Sequence, residues 1–269
     1  MKKMVKKVGT FALVLVVCLT MSAFSLQHEA HAADHAYYTN SFPGGYSLGA
    51  YSWFNYVDVR CGANSYIDYS GNSSKPIDSI SIDYDAYNVS GVIQFSDYEQ
   101  RPNTGGFLLE TPVGVLEKST SIFDFKNNGY EWKPTQRIYN CAFGSASVSQ
   151  MPQKYKNIAD KNSLGKVKSI IENDYANDIK SFTVNNRPLN IDDFKLDKTI
   201  KKQGFDFEDG TMKYHNTIKT NYSFVSISTS ESVKRDGKLY NIKAYILVID
   251  TKNHNDEVNT SLYIEPVKK

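Results

Sequence analysis

Cleavage after Ala32 would leave a chain that begins Ala33-Asp34-His35. A free amine, two deprotonable amides and an imidazole on the third residue make a square-planar nitrogen set suited to Cu(II) or Ni(II). Those three residues are the candidate metal site of the sequence, and no other cofactor is implied. The remaining histidines of the cleaved chain, His215 and His254, stand far apart. His215 lies at an expected strand edge and His254 in the turn Asn253-His254-Asn255-Asp256, so both read as solvated side chains.

Carboxylates cluster in two places. Asp206-Phe207-Glu208-Asp209-Gly210 lacks the ligand spacing and the later bidentate Glu of a calcium-binding EF-hand loop and reads as a solvated turn. Asp83 and Asp85 share one face of an expected strand. Glycosidase carboxylates flank a sugar at roughly 5–9 Å and usually come from separate strands, so this pair reads as a polar strand face. No glycine-rich phosphate loop, HExxH or GxSxG is present, and no catalytic residue is nominated.

Cys61 and Cys141 remain after cleavage, neither in a CxxC. In an oxidising compartment two cysteines read as one disulfide. The closed loop of about 80 residues would stabilise the fold by roughly 4 kcal/mol on the chain-entropy account.

Aromatic residues carry the other signal. The chain has 19 Tyr, and Tyr51, Trp53, Tyr56 and Tyr66 are crowded near the start of the cleaved chain. Aromatic faces with a polar tip bury large area at small rotamer cost, which suits recognition of sugars or proteins. Tyrosine also favours strands on its own account.

Strands are the elements that must position these groups. Residues 77–88 (IDSISIDYDAYN) put Ile80, Ile82, Tyr84 and Ala86 on one face and Ser79, Ser81, Asp83 and Asp85 on the other, the period of a half-buried strand. Residues 53–61, 91–98, 120–126 and 137–148 also read as strands, and Asn127-Asn128-Gly129 as a tight hairpin turn. The segment 151–163 is polar and reads as a linker. Ser163 then caps a helix over 164–180, whose stripe is Leu164, Val167, Ile170, Ile171, Tyr175 and Ile179. After an irregular stretch, residues 222–230, 239–250 and 258–266 read as three strands.

The expected fold is therefore mainly β. An antiparallel β-sandwich or barrel-like domain over 33–150 is followed by a smaller α+β domain over 164–269, one helix packed on an antiparallel meander.

Residues 1–32 have the order of a cleaved secretory signal: four lysines at 2, 3, 6 and 7, an uncharged apolar run over 11–24, and Ala30-His31-Ala32 at the cut. The apolar run is shorter than the roughly 20 residues a membrane-spanning helix needs. Cys18 follows Val17, where a lipidation site would want a small residue. A secreted protein with no membrane anchor after cleavage is expected.

Cleavage removes four lysines and one glutamate and leaves 27 basic and 28 acidic side chains, so the basic balance of the whole chain belongs to the leader. A near-neutral surface with five arginines gives no footprint for nucleic acid. These features together imply an extracellular, non-enzymatic binding protein whose partner is cell-wall carbohydrate or another protein. A secreted β-rich toxin or bacteriocin-like effector is the alternative, and an extracellular hydrolase with an unrecognised site the third.

Overall fold

The computed structural model describes residues 35–55, 60–66, 75–88, 90–110, 116, 118–139, 151–210, 212–251 and 256–268. Side chains are described for these apart from 35–37, 53–55, 60–66, 110 and 217. The leader, with the cut at Ala32, lies outside them, as do Ala33, Asp34, Tyr56, Cys141 and His254.

The fold is an antiparallel sheet with one α-helix among the described residues. The first six strands are β1 (His35–Phe42), β2 (Tyr46–Asn55), β3 (Arg60–Tyr66), β4 (Ile77–Tyr87), β5 (Ile93–Thr104) and β6 (Gly106–Glu110). Strands β7 (Lys118–Asn127) and β8 (Tyr130–Tyr139) precede helix α1 (Leu164–Lys180). After it come two short strands, β9 (Thr183–Val184) and β10 (Arg187–Pro188), then β11 (Phe194–Glu208) and β12 (Lys213–Thr229). The last three are β13 (Val233–Arg235), β14 (Lys238–Asp250) and β15 (Glu257–Pro266). The main path across the sheet runs β5-β4-β7-β8-β15-β14-β12-β1-β2-β3-β6.

Strands from the two sides of the expected linker are hydrogen-bonded to each other: β8 pairs with β15, and β1 with β12. The sheet thus continues across 151–163, and Asp34–Lys269 is one compact unit. Within the segment read as a linker, Met151, Tyr155 and Ile158 are buried in the helix-side core. Three apolar groups at i, i+4 and i+7 in an otherwise polar stretch are too few to mark an element, and tertiary packing recruits them.

The sheet curls into a half-barrel, which brings β2 over β7 and β8. Ser52 Oγ donates to Gln136 Oε1 at 2.5 Å and lies 2.9 Å from Ser121 Oγ, while Gln136 Nε2 donates to the Ala50 carbonyl at 3.0 Å. Inside the curl pack Ile80, Ile82 and Tyr84 of β4, Phe123 and Phe125 of β7, and Trp132 of β8. The alternation expected in β4 is the one observed. Glu257 is buried in the same interior and accepts from the hydroxyls of Tyr38 (3.3 Å) and Tyr214 (3.0 Å). Burial, reinforced by Glu257, pushes both hydroxyls well above the ordinary tyrosine range.

The opposite face of β14 and β15 carries Ala244, Ile246, Val248, Val258, Leu262 and Ile264, and α1 covers it with Val167, Ile170, Ile171, Tyr175 and Ile179. Strand β14 is covered on both sides, which explains its unbroken run Ala244-Tyr245-Ile246-Leu247-Val248-Ile249. Ser163 does not cap α1. Its hydroxyl is turned back and donates to the carbonyls of Ile158 and Asp160 (2.6 Å to the latter), tying the preceding turn to the helix start.

Three further readings change. The segment 53–61, read as one strand, holds the end of β2 and the start of β3, paired as a hairpin at Asn55–Arg60. Of 137–148, residues 137–139 are the end of β8 and the rest lies outside the described residues. The stretch read as irregular before 222 contains β9, β10, β11 and the first half of β12. Strand β11 is an edge strand buried only at Phe194 and Phe207 near its ends, so no buried side imprints a period of two along it. The hairpin turn at Asn127-Asn128-Gly129 forms as expected, with Asn128 at φ +52° and Gly129 at φ +83° joining β7 to β8.

Candidate functional site

Asp83 and Asp85 point to the outer face of the half-barrel. Cross-strand register sets Tyr98 of β5 opposite Asp83, Asp83 opposite Ile122 of β7, and Ile122 opposite Thr135 of β8. At about 4.8 Å per strand, this row of four spans about 14 Å. Tyr98 is 60% exposed and Ile122 42%, so an aromatic ring and an aliphatic side chain flank an acid on open surface. The next row holds Gln100, Ser81 and Asp124. The flank of α1, with Asn173, Asp174, Tyr175 and Asp178, rises beside β8 as a wall. Floor and wall enclose a groove of about 370 Å³.

The wall is held by a hydrogen-bonded ionic network. Arg137 clamps Asp174 with two bonds of 2.7 and 3.1 Å, and Thr260 donates to the same carboxylate at 2.6 Å. The buried hydroxyl of Tyr175 is 2.8 Å from the carbonyls of both Lys133 and Thr260, so its proton fastens the helix to β8 or to β15. Lys133 pairs with Asp178 and lies 3.4 Å from Asp124. At Tyr175 the backbone leaves helical geometry (φ −130°), a kink at the point where the helix is pinned to the sheet.

The four aspartates of the groove exceed its two cations, Lys133 and Arg137. Both cations are already engaged by acids, so the surplus lies with Asp83, which makes no ion pair or hydrogen bond to a described residue. Partial burial, and then the neighbouring Asp85, raise the Asp83 carboxyl above the usual range. Burial raises Asp124 too, against the pull of Lys133 and Lys126, and its Oδ1 is buried without a partner among the described residues. An acid-rich strip between two apolar surfaces accepts hydroxyl or amine donors and repels anions.

A second cavity, about 480 Å³, lies by the upper end of β11 and β12. Here His215 Nδ1 meets Asp206 Oδ1 at 2.5 Å, and Glu208 pairs with Lys213 at 2.9 Å. The side chains of His215 and Asp206 are 70% and 65% exposed, as expected for a solvated hairpin. Thr39 and Ser47 line the same cavity, but neither hydroxyl bonds to His215. The pair therefore lacks a nucleophile, and the larger cavity is the weaker site. Of the segment 206–210, read as a solvated turn, residues 206–208 are the end of β11, paired with β12, and Phe207 is buried; the turn follows them, where Asp209 accepts the Met212 amide at 2.9 Å.

Tyr51, the one aromatic candidate with a described side chain, is not among the residues that line the groove. Tyr51 is half-buried in β2, opposite Asn64, while Trp53 stands opposite Gly62 and Tyr66 opposite Gly49. The side chains of Trp53 and Tyr66, and all of Tyr56, lie outside the described residues. Cys61 is opposite Phe54 in β3, but its side chain and Cys141 lie outside them as well, and no disulfide is found among the described residues. His35 has a described backbone opposite Trp53, without its side chain. Among the described residues no three His, Cys, Asp or Glu side chains are placed to hold a metal ion. No helix among them is long and apolar enough to cross a membrane.

No family model, curated protein or solved structure matches this chain.

Proposed function

We propose that this protein is a secreted, non-enzymatic binding protein that holds a carbohydrate chain in the groove between α1 and the outer face of β5, β4, β7 and β8. The observation that carries it is the open row Tyr98–Asp83–Ile122, with the acid uncompensated. Sugar rings lay their apolar faces on aromatic and aliphatic surface, and their hydroxyls donate to carboxylates and amides set beside it. Asp83 and Asn173 offer those acceptors, and the Arg137–Asp174 clamp keeps the wall in place. The leader pattern of residues 1–32 supports secretion, and a cell-wall glycan is the carbohydrate proposed.

The test is retention of the purified cleaved chain on isolated cell-wall polysaccharide, followed by titration with its fragments. Retention, weakened about tenfold or more in Tyr98→Ala and in Asp83→Asn, supports the proposal. Equal retention of both variants, or none by the wild type, overturns it.

A second reading, an extracellular hydrolase, has one observation behind it. Asp83 and Asp124 are diagonal neighbours on β4 and β7, about 7–8 Å apart by sheet geometry, and burial raises both carboxyls. Side chains from such positions can reach the roughly 6.5–9.5 Å carboxyl separation of an inverting glycosidase pair. Shortened glycans after incubation, absent with Asp124→Asn, would mark a hydrolase instead.

A further inference from the structure

Two lysines gather on the outer face beyond the groove. Lys118 of β7 is set between Tyr87 of β4 and Tyr139 of β8 by register. Its Nζ lies 4.4 Å from the Tyr87 ring centre and 6.0 Å from that of Tyr139. The Tyr139 ring is 6.4 Å from Tyr155, and Lys154 Nζ sits 4.9 Å over that second ring. Neither lysine has a carboxylate within ion-pairing distance among the described residues. Of the acids on this face, Asp85 accepts from the Tyr87 hydroxyl at 3.2 Å and acts on Lys118 only from beyond ion-pairing distance, and Asp174 is held by Arg137.

Such a gathering of cations is unfavourable unless something offsets their repulsion. Burial, then Arg137, then Lys154 lower the Lys118 ammonium below the ordinary lysine range. The tyrosine faces offset part of the cost, since an ammonium over an aromatic ring is attracted by the ring's negative face. They supply no counter-charge.

We infer that Lys118 and Lys154, on their platform of tyrosines, form a binding site for an oxyanion, the phosphate or carboxylate group of an acidic glycan. Lysine ammoniums bind such groups as point charges. The site lies four residues along the strands from the Tyr98–Asp83–Ile122 row, about 14 Å at 3.4 Å per residue. One polymer bound along the face would present hydroxyls to the acidic groove and an anionic group to the lysines. The oxyanion site stands on the lysines and tyrosines alone, whereas assigning its anion to a glycan rests on the groove proposal above.

The experiment titrates the full cleaved chain with inorganic phosphate and with acetate, then with a phosphate-bearing wall glycan and the same glycan after dephosphorylation. A carboxylate-bearing glycan and its carboxyl-reduced form make the parallel pair. The expected results are binding of phosphate or acetate, weakened at least fivefold in Lys118→Gln and in Lys154→Ala and unchanged in Tyr98→Ala. The acidic form of at least one glycan pair should bind about tenfold tighter than its neutral form, a preference lost in both lysine variants. Lys154 is exposed, so its variant keeps the test valid should the Lys118 variant fold poorly. Anion binding indifferent to both lysines, or none at all, overturns the oxyanion site. Glycan binding with no preference for the acidic form overturns the assignment to an acidic glycan and leaves the groove proposal standing. Lysine-dependent anion binding with no glycan bound overturns the groove proposal and the glycan assignment and leaves the oxyanion site.

Discussion

Removing Asp174 should cost far more than a surface ion pair would. Its side chain is 4% exposed and that of Arg137 14%, and the two share bonds of 2.7 and 3.1 Å. In Asp174→Ala the guanidinium keeps the Thr260 hydroxyl, at 3.4 Å, as its hydrogen-bond partner among the described residues, and that hydroxyl in turn loses the carboxylate it donates to. Breaking one side of a buried pair typically costs about 3–5 kcal/mol, because a charge is left desolvated and unpaired. The residual exposure of Arg137 places the expected loss near the lower end, about 3 kcal/mol. For a unit of this size that lowers Tm on the order of 10 °C. Urea unfolding of the full chain, followed by intrinsic fluorescence, measures it. Adding Arg137→Met to Asp174→Ala should recover all but about 1 kcal/mol, since the stranded charge is gone. A loss below about 1 kcal/mol in the single variant, or a double variant no more stable than it, refutes the assignment of the network as the clamp of the wall.

Glycan binding should weaken as pH falls through the Asp83 pKa. Because burial and Asp85 raise that pKa, the loss begins at higher pH than for an ordinary aspartate, and Asp83→Asn should flatten this part of the profile in a pH series of affinity titrations. Ile158 is fully buried although it lies in the segment that reads as a linker, so Ile158→Ala should destabilise by about 3 kcal/mol on the scale of core truncations; urea titration would show near-neutral behaviour were the segment a true linker. Gly129→Ala forces a side chain onto φ +83° in the β7–β8 turn and should cost about 1 kcal/mol or more, read as a shift in thermal midpoint with no loss of glycan binding.

What the sequence makes legible is whatever a single strand or helix imprints on itself. The face of β4 was readable because Ile80, Ile82, Tyr84 and Ala86 are all buried on one side, and the stripe of α1 because five of its residues meet the sheet. The Asn128-Gly129 turn was readable because positive φ selects those residues. Strand β11 left no such mark. Between Phe194 and Phe207, its two buried ends, it is held mainly by its ladder to β12, and residues such as Lys195, Lys198 and Lys202 face solvent. The pairing of β1 with β12 and of β8 with β15 joins residues far apart in the chain, which no local pattern encodes.

The groove follows the same rule one level up. Its floor and wall draw on Tyr98, Asp83, Ile122, Thr135 and Asp174, which four strands and a helix bring together. One link in it was within reach. Residues 77–88 and 91–98 read as consecutive strands with a short connection, so counting outward from the turn brings Tyr98 close to opposite Asp83, within the one-residue shift of register near Ala86. That juxtaposition changes the meaning of the acid. Beside Asp85 alone it is a polar strand face; between an exposed tyrosine and Ile122, it is a hydrogen-bond acceptor set in an apolar strip. Local density alone, as in the crowding of Tyr51, Trp53, Tyr56 and Tyr66, counts residues, whereas a site depends on which of them the register leaves in the open. Tyr38, Tyr84, Tyr214 and Tyr222 show the difference: all are buried among the interior strands, while Tyr98, in no cluster, carries the open aromatic face beside an uncompensated acid.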